Sequence, residues 1–249
     1  MGRIIDYETT VQDSIDVRVQ GVDISELDNG SLIFNHFNLT YFHLLKQSTR
    51  DINSRFGQVL VLENFNTLSG DYIGSLTALR AILYFPGLFK HHSFYVRGGI
   101  QSRKIVNEPN LYAFANRVFR PRGYDSYPLE KSSSIVQFNY ALPLLYPDLA
   151  LGPFLNIKRI KLNMFADLGN SEAINFLLVT RLDDPSVGGV QDAPRKANYT
   201  SFGAELTFDF NVMRALPELE LGVRFSYFGS NEYFDAGNRI ELIIGNISF

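Results

Sequence analysis

The sequence predicts an all-β fold: an antiparallel transmembrane β-barrel of the outer-membrane type, with about nine or ten strands that stand alone or belong to a larger barrel. Three observations lead there. Apolar and polar residues alternate with a period of two over most of residues 31–249. The alternating segments run to about 10–14 residues, longer than the ~5–6 of an ordinary soluble strand and suited to a tilted membrane strand. Charges sit mid-strand on one side only, at Arg97, Arg159, Lys161, Glu205 and Arg224. In a barrel that side meets a wet interior, and the phenylalanine-rich side meets lipid.

Residues 1–30 read as a short lead-in, with Ile15, Val17 and Val19 alternating against Asp16, Arg18 and Gln20 before the turn signal Asp28-Asn29-Gly30. Residues 31–249 form the barrel domain. Its first strand spans about 31–48, with Ile33, Phe37, Leu39, Tyr41 and Leu45 on one face, and ends at the turn Asp51-Ile52-Asn53-Ser54. Strands follow at about 56–66 and 72–85, then the tight turn Pro86-Gly87 and a strand at 91–104. Residues 105–130 form a long loop. The next strand, 132–142, sets Val136, Phe138, Tyr140 and Leu142 against Gln137 and Asn139. Pro143 to Pro153 reads as an apolar connection with a short helical turn at Tyr146-Pro147-Asp148. The strand at 157–168 sets Ile160, Leu162, Met164, Ala166 and Leu168 against Arg159, Lys161, Asn163, Phe165 and Asp167. A second long loop, 169–196, contains a short strand or helix at Ile174 to Val179. The alternation is cleanest at 201–210 and 219–227, and a last strand spans 238–249.

Composition removes several functions. A net charge of −3 gives no bulk basicity for nucleic acid. With no cysteine there is neither a disulfide framework nor a thiolate metal site. No run of about 18 apolar residues offers a membrane helix. Met1-Gly2-Arg3 is not followed by an apolar segment, so a secretory signal for an exported protein is expected upstream of the given chain. His91 and His92 are adjacent on a strand and point to opposite faces, which argues against a shared metal. Asp183-Asp184 lacks calcium-loop spacing, and Gly98-Gly99 is not followed by a helix that would cradle phosphate. Ser31, Ser132-Ser133-Ser134 and Ser201 have no visible His–Asp setting. The reading is therefore non-enzymatic, without catalytic residue, metal or cofactor.

The long loop after residue 104 carries Pro121-Arg122-Gly123-Tyr124. Proline fixes one backbone angle and glycine permits a conformation other residues resist. Arg122-Gly123-Tyr124 resembles the arginine-glycine-aromatic motif on the sixth extracellular loop of the BamA-type superfamily of outer-membrane assembly and secretion barrels, the bacterial surface antigens. The resemblance implies that the loop folds into the lumen and that its arginine pairs with the aspartate of a phenylalanine-x-aspartate-x-glycine motif. Phe165-Ala166-Asp167-Leu168-Gly169 matches that motif two strands later. The last five strands then correspond to the family's twelfth to sixteenth. Tyr41 to Gly57, with Arg50-Asp51, and Leu144 to Asp148 look most like the Bacteroidetes branch. Asn139 stands where the family often carries a glutamate, and Pro121 where it usually has an aliphatic residue. Ile247 and the final Phe249 resemble a C-terminal assembly signal, with Gly245 one place from the expected glycine.

The resemblance implies a module of a protein assembly or translocation factor in the bacterial outer membrane. Its implied partners are membrane lipids, unfolded outer-membrane client proteins or accessory lipoproteins, and a second chain or further segment that completes the barrel. Two alternatives stand beside it: a barrel anchoring an upstream soluble or catalytic domain, as in barrel-linked phospholipases, and a soluble lipid-binding barrel. Within the tether, Arg122 and Asp167 are expected in contact, with Asn139 as a neutral second partner.

Overall fold

The computed structural model describes residues 32–48, 50–70, 73–105, 114–124, 130–147, 149–152, 155–173, 176–180, 188–192, 195–212 and 218–247. The lead-in strand expected near residue 17 and the terminal Phe249 lie outside the described residues. The strands are β1 (Leu32–Leu44), β2 (Gly57–Gly70), β3 (Gly74–Pro86), β4 (Ser93–Ile105), β5 (Glu130–Leu145), β6 (Leu149–Leu151), β7 (Leu155–Ala173), β8 (Phe176–Thr180), β9 (Gly188–Asp192), β10 (Arg195–Val212), β11 (Glu218–Phe228) and β12 (Gly237–Ile247). Ten of them form one sheet in the order β1-β2-β3-β4-β5-β7-β10-β11-β12, with β6 on the beginning of β7; β8 and β9 form a separate hairpin. Every pairing is antiparallel. The described residues contain no helix. Among the described residues the sheet is open, with β1 and β12 as its two edges.

Each long segment with a period of two became a strand, but several strands outrun the apolar alternation. β7 continues through Gly169, Asn170 and Ser171 because its backbone still pairs with Ser133 to Ile135 of β5 and with Ala197 to Tyr199 of β10. A ladder needs only backbone donors and acceptors, so polar side chains do not end it. One expectation is corrected on the same ground, and one open choice between strand and helix falls to strand. The connection expected to hold a helical turn contains β6, which pairs Leu149 with Ile157. The ambiguous segment at 174–179 yields strand β8, paired with β9.

The two faces are sorted opposite to those of a sheet in water. Asp167 and Asp209 are 0% exposed, whereas Phe202 keeps 58% and Ile244 76% of its surface. Along β7 the buried side chains are Arg159, Asn163, Phe165, Asp167 and Ser171, and Met164 and Leu168 are exposed. Phe202, Leu206, Leu221, Val223 and Phe225 are exposed, as the alternation predicts, and Phe208 is half-buried.

Two chain segments cover the polar face. Residues 114–124 lie over it at the long-loop end, where Phe114 packs on Phe34 and Phe65. At the other end the β1–β2 turn, residues 45–56, folds across. Ser48 and Asp51 exchange hydrogen bonds there, and the Ser54 hydroxyl meets the carbonyls of Leu45 and Phe56. Arg159 of β7 donates to the Asp51 carbonyl at 3.0 Å. A flat sheet would hold β2 and β7 about 19 Å apart, so turn reach and sheet curl together span that gap.

Candidate functional site

The covering loop is held before its motif begins. From β4, the Gln101 side-chain oxygen accepts from the Arg117 amide at 2.9 Å, and its nitrogen donates to Asn116 and Glu130. Arg103 donates to the carbonyls of Phe114 and Glu130 and to the Asn116 side chain. The Arg97 guanidinium stacks on Phe119, 3.8 Å from the ring centre. Gln137 of β5 donates to the Arg120 carbonyl at 2.9 Å. These contacts fix the approach of the next residue, Pro121, which is itself buried.

Arg122 then enters a fitted socket. Its Nε and terminal nitrogen reach the two carboxylate oxygens of Asp167 at 3.0 and 2.6 Å, and its backbone amide also donates to that carboxylate at 2.9 Å. This two-pronged arrangement is the strong geometry for a guanidinium and a carboxylate. The Arg122 guanidinium lies 3.7 Å from the centre of the Phe165 ring. Its remaining nitrogen donates to Glu205 at 3.2 Å. Gln137 completes the shell, donating to Asp167 at 3.1 Å.

Gly123 turns the chain with φ at +93°, and a Cβ there would meet Phe228 and Ser226 at 3.0 Å. Both facts require glycine. Tyr124 packs among Tyr199, Phe228 and Phe234. Its hydroxyl accepts from the Thr200 amide at 3.1 Å and faces the carbonyls of Thr200 and Gly229 at 3.1 and 3.0 Å. The loop is therefore fixed twice, by charge on β7 and by an aromatic pin against β10 and the β11–β12 connection. Gly169, the last residue of the second motif, lets Pro121 pass close above: a Cβ there would meet Pro121 Cγ at 3.6 Å and the Ser134 carbonyl at 3.3 Å.

Asn139 does not serve as the expected second partner. It donates to the Gln137 carbonyl and accepts from Asn163, each at 3.3 Å. Gln137, two residues earlier on the same face, holds Asp167, and Glu205 of β10 is the second group on Arg122. The expected balance of one carboxylate to one guanidinium is therefore replaced by a chain of charges. Glu205 also accepts from Asn163 at 2.8 Å and from Arg224 at 2.7 Å, and Arg224 reaches Glu241 of β12 at 3.3 Å. A parallel network joins Arg159 and Lys161 to Asp209, and Lys161 to Glu220. The sequence marked Glu205 and Arg224 as mid-strand charges; only the register Glu205↔Arg224 and Glu205↔Asn163 makes them neighbours. Ile247 pairs through its backbone with Glu218, at the end of β12.

Chemically the arrangement holds a loop. Among the described residues no group of three or more His, Asp or Glu side chains converges as for a metal. His91 and His92 diverge, with His91 Nδ1 2.7 Å from Asp51 and His92 Nδ1 2.9 Å from the Tyr140 hydroxyl. Burial works to raise the Asp51 carboxyl. The Ser48 amide, the neighbouring His91 and the charge of Arg55 outweigh it, and the carboxyl lies below its ordinary value. No protein-family model, curated protein or solved structure matches the chain.

Proposed function

We propose that the chain is a non-enzymatic outer-membrane β-barrel module of a protein assembly or translocation factor of the BamA type, with the Arg122–Gly123–Tyr124 loop tethered inside the lumen. The observation that carries this reading is the fork of Arg122 on the buried Asp167, which joins the two motifs of the resemblance in one contact. The inverted faces support a lipid setting: exposed Phe202, Phe225 and Ile244 would be costly in water, and a bilayer accepts them.

The test is reconstitution of the chain, with any segments that precede it in its reading frame, into lipid vesicles. Insertion of an unfolded outer-membrane client is then followed by its acquired protease resistance. Acceleration by the wild type and its loss in Arg122→Ala are expected. Equal client insertion with and without the protein overturns the assembly role. A barrel acting only as an anchor would show no dependence on Arg122. Monodisperse behaviour in buffer without detergent overturns the membrane setting altogether.

A further inference from the structure

The three described turns at the short-turn end form one platform. Asp51 of the β1–β2 turn meets His91 of the β3–β4 turn, Asn53 donates to Ser93, and the Tyr146 hydroxyl at the end of β5 donates to the Arg50 carbonyl. The cations Lys46, Arg50, Arg55 and Lys90 remain exposed on this platform. The one acid described in these turns, Asp51, is buried and paired with His91. Beside Lys90, the turn tip presents Leu88 and Phe89, 83% and 72% exposed. The opposite end differs, because it exposes both signs: Lys131 and Lys196, Glu232 and Asp235.

We infer that the short-turn end docks on the anionic headgroups of phospholipids in the adjoining leaflet. Cations beside bulky apolar side chains match a membrane interface, where the apolar groups enter the acyl boundary and the cations meet phosphate. Among the described residues of these turns, the one carboxylate is turned inward and four cations stand at the surface, an excess of positive charge that an anionic surface outside the protein complements. Leu88 and Phe89 continue the exposed apolar band of Phe85, Leu144 and Leu145 to its rim. A soluble acidic partner would complement the cations but not this continuity with the lipid-facing surface.

The inference rests on the membrane reading above, and one experiment separates the two. Binding of the full chain is measured by flotation with phosphatidylcholine vesicles, with and without phosphatidylglycerol, over a range of salt. A preference for the anionic vesicles that fades with salt is expected. Lys46→Gln, Arg55→Gln and Lys90→Gln are each expected to weaken that binding about fivefold, the equivalent of ~1 kcal/mol per cation, and to leave phosphatidylcholine binding unchanged. An environment-sensitive dye on Phe89→Cys is expected to shift to the blue on anionic vesicles. Inorganic phosphate is expected not to compete; competition would make free phosphate the ligand and overturn the headgroup claim. Equal binding to both vesicle types, or a triple variant that keeps the preference, overturns this inference alone. Failure to float with either overturns the membrane reading as well.

Discussion

Arg122 and Asp167 bury a full charge pair, with 9% and 0% of the two side chains exposed. Breaking such a pair from one side leaves an uncompensated buried charge, at about 3–5 kcal/mol. Arg122→Ala and Asp167→Asn are therefore expected to raise protease nicking between residues 105 and 130. Arg122→Lys is expected to rescue little, because an ammonium cannot fork across both oxygens while reaching Glu205. Exchanging the two charges is also expected to fail: an aspartate at position 122 would face Glu205, now 3.2 Å from the guanidinium. Recovery of nicking resistance in the exchanged variant would show that Glu205 contributes nothing there. Gly123→Ala combines a positive φ with two contacts at 3.0 Å. It is expected to cost about 1–3 kcal/mol and to release Tyr124 from its pin, seen as faster hydrogen exchange at the Thr200 amide. Of this site, Arg122, Gly123 and Asp167 were legible as a motif pair. Gln101, Arg103 and Gln137 were not, because an amide or arginine on the polar side of a strand looks alike whether it meets water or a folded-back loop.

At the scale of the element, the β1–β2 turn behaves as a latch on the polar face, and its hold depends on pH. The folded Asp51 carboxyl lies below its ordinary value, so its ionised form is favoured by folding. That stabilisation is complete above the unfolded value, about 3.9, and is lost as pH falls through the lower folded value. Hydrogen exchange across residues 45–56 is expected to accelerate on acidification below about pH 4. Asp51→Asn is expected to be open already at neutral pH and to show no further acid step. A wild-type turn whose protection is flat down to pH 2 would remove Asp51 as the latch. The sequence marks residues 51–54 as a turn from their composition. That the turn folds inward depends on Arg159, 108 positions away from Asp51, and no local pattern records that distance. The strands themselves were readable because alternation is a local signal. Their ends were not, since β7 and β10 extend on backbone pairing through polar residues.

For the whole molecule, the sorting of faces makes a direct prediction. Spin labels at Phe202, Leu206, Phe208, Leu221, Val223 and Phe225 are expected to be quenched by lipid-soluble reagents, and labels at Glu205 and Arg224 to be protected from them. A reversed pattern would invert the faces. The open sheet has a further consequence, in the arithmetic of direction. Successive strands along the path from β1 to β12 reverse, and the path has nine members, so the two edges run the same way. Rolled shut on itself, the sheet would set one parallel seam in an otherwise antiparallel wall. A second copy inserted in the same orientation does not help, because its first strand again meets a last strand pointing the same way. Only an odd number of added strands restores alternation all around, in keeping with the even counts of bacterial single-chain barrels. Cysteines at Thr40 and Ile244 are therefore expected not to crosslink within one chain of this length in dilute detergent. Efficient crosslinking would mean that the wall closes through a parallel seam, with its own parity broken.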